Sequence, residues 1–112
     1  MNIESINKMD KMTRTEKSLL LFFEARATDN NGSVLAPNMN SEDFDIAKKW
    51  NEEGFVKFGR IASEHVTAQR GAYWCNLSEE AWEIAHALRK AKAERCWASR
   101  VWITTEEKRE LA

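Results

Sequence analysis

The chain has 112 residues, enough for one domain with one hydrophobic core. Hydrophobic residues make up 43% of it and include five tryptophans, a composition that excludes intrinsic disorder for all but the ends. The chain has 17 basic and 18 acidic side chains, a formal charge of −1. It therefore lacks the global basic field that attracts nucleic acid nonspecifically.

The lengths of the apolar runs and the spacing of the cysteines indicate where in the cell the protein is expected. The longest apolar run, from Leu19 to Phe23, is far shorter than the roughly 20 residues that span a bilayer, and the N-terminus has no apolar signal-peptide core. We therefore expect a soluble, cytoplasmic protein that does not enter a membrane. Cys75 and Cys96 have no closely spaced partner, so the sequence predicts two unbridged, partly buried thiols.

The first third of the chain predicts a polar arm followed by a helix. Residues 1–12 are polar, their methionines follow no helical period, and we expect a loose arm. A helix is predicted from Thr13, whose spacing to Glu16 is that of a capping box. It should end in the polar turn of residues 28–32. Its apolar face consists of Leu19, Leu20, Phe22, Phe23 and Ala27.

A short strand and a second helix follow. The strand is predicted over residues 33–35 and is halted by Pro37. The helix should begin near Asn40 or Ser41, with acidic residues at the positive end of its dipole, and end at Gly54. Two rows are candidates for its buried face, either Phe44, Ala47 and Trp50 or Ile46 and Trp50.

A hairpin comes next. Alternating apolar and polar residues predict strands over 55–61 and 72–76. The ten residues 62–71 between them are polar or small and are expected to form the hairpin loop. Helices with one small antiparallel hairpin place the chain in the α+β class.

The last predicted helix has two apolar faces. It begins with Ser78 as N-cap and is expected to reach Val101 or Trp102. Its core-facing stripe consists of Leu77, Ala81, Ile84, Leu88, Ala91, Ala98 and Trp102. The opposite side carries Trp82, His86, Ala93, Trp97 and Val101, interleaved with Lys90. Either this second face contacts a partner or a second copy, or the helix breaks near Cys96 and Trp97 folds back into the core.

The end of the chain predicts one more element. Thr104, Thr105 and the two glutamates after them are typical of an N-cap, so a short charged helix is expected there. The predicted organisation is an arm over residues 1–12, a domain over 13–103 and a charged tail over 104–112.

Two junctions carry a family resemblance. From Asn51 to Val56 a helix ends on a glycine and runs directly into a strand, and from Leu77 to Trp82 a strand leads through a serine into a helix. In their order, these elements resemble the winged helix-turn-helix superfamily, in particular small regulators of the MarR and PadR kind. The resemblance covers about residues 13–92. It implies a winged-helix-like domain in which the hairpin loop is the wing, and it implies a fold more than an activity.

The chain departs from that family between Gly32 and Gly54. Such domains usually hold a strand, a complete helix, a turn and the recognition helix in this region. Twenty-three residues fit a short strand and one helix, which leaves about a single turn around Pro37 to Asn40 for the other helix. The sequence therefore predicts a shortened helix-turn-helix.

Charge divides the candidate contact surfaces. Residues 41–54 carry five carboxylates and two lysines, a net charge of −3 on the helix that should approach phosphates. The wing region has three basic residues and one acidic one, and residues 89–100 have five basic residues and one acidic one. In the last helix, Arg89, Lys92 and Arg100 fall near one edge, where they form either a phosphate-tracking strip or a solvated face.

The sequence offers no catalytic or metal-binding motif. Its glycines stand singly where turns need them, and there is no nucleophile elbow or phosphate-cradling loop. His65, Cys75, His86 and Cys96 do not share ligand spacing. We therefore expect a non-enzymatic protein without metal or cofactor.

Two functions from different classes fit the sequence. The first is a DNA-binding transcriptional regulator, dimeric through its last helix, that contacts the phosphates of double-stranded DNA. Its candidate contacts are Lys48, Lys49, Lys57, Arg60 and Arg70. The second is a winged-helix-like protein interaction module, such as an accessory or phage-borne modulator, that does not bind DNA. Its candidate interface, shared with the dimer, is Trp82, His86, Trp97 and Val101.

Overall fold

Four helices pack against a three-stranded antiparallel sheet in the computed structural model, which describes residues 1–98. In chain order the elements are α1 (Ile3–Lys11), α2 (Arg14–Asp29), β1 (Ser33–Val34), α3 (Ser41–Glu53), β2 (Val56–Arg60), β3 (Tyr73–Leu77) and α4 (Glu79–Ala98). Single 3₁₀ turns lie at Ala36–Asn38 and Ser63–His65. The predicted α+β class with a long C-terminal helix is confirmed.

The N-terminal residues differ from the sequence-based expectation, because α1 is a helix rather than a loose arm. Asn2 caps it by accepting a hydrogen bond from the backbone N–H of Ser5 at 2.8 Å. The buried Ser5 hydroxyl lies 3.2 Å from one carboxylate oxygen of Glu80, and Lys8 lies 3.2 Å from the other. Lys8 also lies 3.9 Å from the ring centroid of Phe55. Contacts with distant residues stabilise this short helix, so the packed domain begins before Thr13.

The predicted helix boundaries of α2 and α3 are confirmed. Thr13 and Glu16 form a capping box with hydrogen bonds of 3.0 and 3.1 Å. Asn40 and Asp43 form a second one at the start of α3, which ends at Gly54 in the left-handed conformation with φ 75°. Between β1 and α3 there is one 3₁₀ turn, the single turn that the short segment predicted.

The sheet has the order β1-β3-β2, with the last strand of the chain in the middle. Residues directly opposite each other share a face of the sheet. The face toward the helices carries Val34, Val56, Phe58, Arg60, Tyr73, Cys75 and Leu77. The opposite, outer face carries Ser33, Lys57, Gly59, Trp74 and Asn76.

The hydrophobic core lies between the inner face of the sheet and the helices. Trp50 is 2% exposed, and its ring meets those of Phe55 and Phe23 edge to face, with centroids 5.3 and 6.4 Å away. This settles the buried row of α3, because Ala47 and Trp50 are buried whereas Phe44 and Ile46 are partly exposed. α2 contributes Leu19, Leu20 and Phe23, as its apolar face predicted.

The helix α4 is continuous through Trp97 to Ala98, so the alternative in which it breaks near Cys96 is wrong. Its predicted core stripe is confirmed in the first half, where Ala81 and Ile84 are buried. Ala98, which that stripe included, is exposed because the end of α4 extends past the core. Trp102, Val101 and the helix predicted from Thr104 lie outside the described residues. Within residues 1–98, no helix combines the length and the apolar character that a bilayer span requires.

Candidate nucleic-acid interface

The five basic side chains predicted to contact phosphates do not form one continuous surface. Arg60 lies on the inner face of the sheet and Lys57 on its outer face, because they are three residues apart in β2. Lys48 lines a groove together with Arg60, whereas Lys49 lines a cleft against α1 that also contains acidic side chains. Arg70 lines a third concavity, beside the loop of residues 61–72 between β2 and β3, for which we keep the name wing as a label. The predicted set is therefore divided among separate sites.

The groove beside Arg60 combines aromatic and basic side chains. It measures about 550 Å³ and lies where α3 meets the wing end of the sheet. The rings of Phe58 and Tyr73 are stacked, with centroids 5.2 Å apart and planes 6° from parallel. Phe44 meets both rings edge to face at 6.1 and 5.3 Å. We call this site the inner groove; it is lined by Phe44, Lys48, Phe58, Gly59, Arg60 and Tyr73.

Two cations of the inner groove are available to a ligand. The guanidinium of Arg60 lies 5.4 Å from the centroid of Tyr73, a cation–π contact that orients it along the aromatic surface. Lys48 and Arg60 are both exposed, and neither forms an ion pair with another residue of the described chain. An anionic group bound there would meet two positive charges beside planar rings.

The outer face of the sheet carries a tryptophan that the sequence analysis did not assign to a site. Trp74 is 39% exposed and lies directly over Gly59, its partner across β2 and β3. It borders a concavity of about 340 Å³ between the α2–β1 turn and the wing, lined by Asn30, Asn31, Ser33, Ile61, Thr67, Gln69, Arg70 and Trp74. A signal was present in the sequence, since an aromatic residue stands at an outward position of a predicted strand.

Local hydrogen bonds fix the position of Arg70 in the wing. Its backbone N–H donates to the Thr67 hydroxyl at 2.9 Å, and its guanidinium donates to the His65 carbonyl at 3.1 Å. Gly71 follows with φ 79°, and a side chain there would come within 2.5 Å of the Val34 carbonyl oxygen. The wing thus passes close to β1 at a glycine that cannot be replaced without moving the backbone, and then enters β3.

Part of the predicted interface on α4 is buried against the domain's own core. Trp82 packs against the core as a partly buried side chain, and its ring lies 5.7 Å from that of the exposed His86. Trp97 is also partly buried. Val101 lies outside the described residues. The apolar surface that these described residues expose is therefore smaller than the helical pattern alone indicated.

The charge of α3 separates it from the basic sites. The acidic residues at both ends of the helix are mostly exposed, among them Glu42, Asp45, Glu52 and Glu53. Asp43 is engaged in the cap of Asn40. The residues of α3 that line the inner groove are Phe44 and Lys48.

Histidine, cysteine and carboxylate side chains do not cluster into a metal site in the described part of the chain. Residues 1–98 contain no group of three histidine, cysteine or carboxylate side chains that could hold a metal ion. Cys75 is buried, and burial raises the pKa of its thiol to about 11 against a smaller opposing effect of Arg26. A thiol with so high a pKa is a poor nucleophile and metal ligand near neutral pH.

Comparison with known proteins finds no protein-family model, no curated protein and no solved structure that matches this chain.

Proposed function

We propose that this protein binds nucleic acid through the wing end of its sheet. The observation that carries the proposal is the inner groove, where Arg60 lies over the ring of Tyr73 and Lys48 lines the same space. Arg70 extends the positive charge to the outer side of the same end, and Lys57 lies on the outer face at the opposite end of β2. Cations that neutralise phosphates, placed beside aromatic rings on which bases stack, are the combination that nucleic-acid sites use.

The resemblance to winged helix-turn-helix regulators supports nucleic acid as the ligand class, although not the usual geometry. In that geometry, the start of a recognition helix meets base edges in the major groove. Here the first turn of α3 carries Glu42 and Asp43, which repel phosphates, and a single 3₁₀ turn replaces the preceding helix. In our proposal α3 contributes Lys48 to the inner groove, and the wing and the sheet provide the other contacts with the ligand.

Fluorescence anisotropy with a labelled duplex and a labelled single strand tests the proposal at low and at moderate salt. We expect binding whose logarithm falls linearly with the logarithm of the salt concentration. The double variant Lys48→Gln/Arg60→Gln should bind at least tenfold more weakly at low salt, with a salt slope reduced by roughly two. The charge-matched control is Lys11→Gln/Arg14→Gln, which removes two exposed cations that line neither the inner groove nor the concavity at the wing.

Two outcomes overturn the proposal. One is the absence of binding to either nucleic acid at low salt. The other is an equal loss in the inner-groove variant and in the control, which would reduce the effect to net charge.

A second candidate is association through α4, either with a second copy of this chain or with another protein. It is favoured by the contact of the half-buried Trp82 with the exposed imidazole of His86, and by the partial exposure of Trp97. As a dimer that binds DNA, the protein would act as a small cytoplasmic regulator; without DNA binding it would act as an interaction module. Sedimentation of the unmodified chain and of Trp97→Ala tests the dimer. If the unmodified chain sediments as a monomer, the dimer hypothesis is wrong.

A further inference from the structure

We infer that the outer face of the sheet stacks an unpaired nucleobase on Trp74, so that the ligand is single-stranded where it meets the wing. This inference rests on the proposed function and adds the class of nucleic acid. We call the site the Trp74 platform; it consists of Trp74 on Gly59, with Asn30, Asn31, Thr67, Gln69 and Arg70 around it.

The indole of Trp74 is held against a flat backbone surface. A β-carbon built on Gly59 would lie 2.8 Å from Cε2 and Cζ2 of the indole and 2.9 Å from Nε1, so the ring occupies the space that any other residue would fill. Trp74 is nevertheless 39% exposed, and within residues 1–98 no other aromatic ring packs on it. A large exposed ring supported from one side presents a π surface to a ligand.

The rim of the platform suits the edge of a base. Asn31 and Gln69 each offer a carboxamide, which both donates and accepts hydrogen bonds as base edges do. Neither side chain is engaged in a hydrogen bond within the described chain. Asn31 has a positive φ of 55°, which places the polar α2–β1 turn beside the concavity. The concavity of about 340 Å³ falls in the size range of small-ligand sites.

Charge favours a phosphorylated ligand over a neutral sugar, which an aromatic ring with amides would also suit. Arg70 lines the platform and Lys57 lies on the same face of the sheet. Among residues 1–98, no carboxylate lines the concavity. A nucleotide would place its base on Trp74 and its phosphates near these cations.

Stacking on Trp74 requires a base whose face is free. In a duplex both faces of each base are covered by neighbouring pairs, so a side chain reaches only the base edges. Unpaired bases stack on aromatic side chains regardless of sequence. The inner groove, with the stacked rings of Phe58 and Tyr73 on the other side of the same sheet end, provides a second aromatic surface along the path of the strand.

The test uses the full chain and two labelled probes, a twelve-nucleotide oligothymidine and a mixed-sequence duplex of equal length. We expect the single strand to bind more tightly than the duplex. Trp74→Ala should weaken single-strand binding about tenfold or more, and Trp74→Phe, which keeps a ring, should recover most of the loss. Duplex binding should change less than twofold in both variants. Circular dichroism melting verifies that each variant is folded.

A second variant moves the ring without removing it. Gly59→Ala adds a methyl group where the indole lies and should reduce single-strand affinity severalfold while Trp74 is still present. Val66→Ala, at another exposed apolar side chain of the wing, is the control and should leave affinity unchanged.

The outcomes separate this inference from the proposed function. Equal affinity for both probes with no effect of Trp74→Ala overturns the platform and leaves nucleic-acid binding intact. Binding of neither probe overturns both. Binding of a neutral oligosaccharide that depends on Trp74, without binding of oligothymidine, also overturns the inference.

Discussion

The indole of Trp74 occupies the space above Gly59, the residue opposite it across β2 and β3. Glycine lowers the stability of a strand, because it has no side chain to pack and loses the most backbone entropy on folding. At this position it permits close approach of an aromatic ring to the backbone. The pair links a local weakness of the strand to an exposed ring on the outer face.

Gly59→Ala is expected to lower the free energy of unfolding by about 1 kcal/mol, since the new methyl group and the indole cannot occupy the same space. In the Trp74→Ala background the same substitution should be neutral or slightly stabilising, because alanine suits a strand better than glycine once the ring is gone. Urea unfolding of the four chains gives the coupling energy as a double-mutant cycle.

A coupling energy near zero in that cycle would contradict the contact. Gly54→Ala is a useful comparison at a glycine of a different kind. A side chain at Gly54 would meet nothing within 4 Å, so its cost of about 1 kcal/mol comes from the φ of 75° and should not depend on Trp74.

The pairing of Trp74 with Gly59 shows why the strands could be predicted and the site could not. Alternation of apolar and polar residues predicted both strands of the hairpin and the polar loop between them. The residues that stand opposite each other depend on the register, which the geometry of the ten-residue loop sets. Lys57 and Arg60 were predicted as contacts of one ligand, although the two-residue period of a strand already places positions three apart on opposite faces.

Trp50 is the largest fully buried side chain among residues 1–98. It is 2% exposed and contacts the rings of Phe23 and Phe55, so Trp50→Ala should lower the free energy of unfolding by about 3–5 kcal/mol. Trp74→Ala, at an exposed ring, is the matched control and should cost about 1 kcal/mol or less. Chemical denaturation measures both. An equal loss of unfolding free energy in the two variants would contradict the central position of Trp50 in the hydrophobic core.

The helices also differ in whether nearby or distant residues of the chain determine them. Caps at Thr13 and Asn40 and the glycine at Gly54 are local signals, and each predicted boundary is confirmed. α1 has a local signal as well, the cap at Asn2, but its packing depends on residues far along the chain. Its buried Ser5 and its Lys8 both contact Glu80, which no periodicity within residues 1–12 could indicate.

The thiol of Cys75 should make stability depend on pH in the alkaline range. Burial raises its pKa from 9.0 to about 11, so the folded state retains a proton that the unfolded state releases. The resulting stabilisation is fully present below pH 9 and is lost as the pH rises to about 11, a difference of roughly 2–3 kcal/mol. Urea unfolding of the unmodified chain and of Cys75→Ala at several pH values measures it as the difference between the two.

Other groups also titrate in that range, but they do so in both chains and cancel in the comparison. A difference between the two chains that stays constant from pH 8 to 11 would contradict the assignment. The orientation of the thiol supports it, because the Cys75 Sγ lies 3.6 Å from the carbonyl oxygen of Phe23 inside the core.

The ion pair between Glu24 and Arg89 connects α2 to α4 and should be costly to break from one side. Glu24 is 6% exposed, and Arg89 donates to its carboxylate and also to the Leu21 carbonyl at 3.2 Å. Arg89→Leu leaves a buried carboxylate without its partner and should lower the free energy of unfolding by about 2 kcal/mol, below the usual cost because Arg89 is partly exposed.

Replacing both partners of this pair should lower the free energy of unfolding by less than the sum of the two single replacements. Glu24→Gln removes the charge that Arg89 neutralises, so Arg89→Leu in that background should cost about 1 kcal/mol or less. Lys90→Leu removes the neighbouring cation, which forms no ion pair in the described chain, and should change stability by less than about 0.5 kcal/mol. Thermal or urea unfolding of these variants measures the differences in stability. If Arg89→Leu costs no more than Lys90→Leu, the pair does not stabilise the contact of α2 with α4.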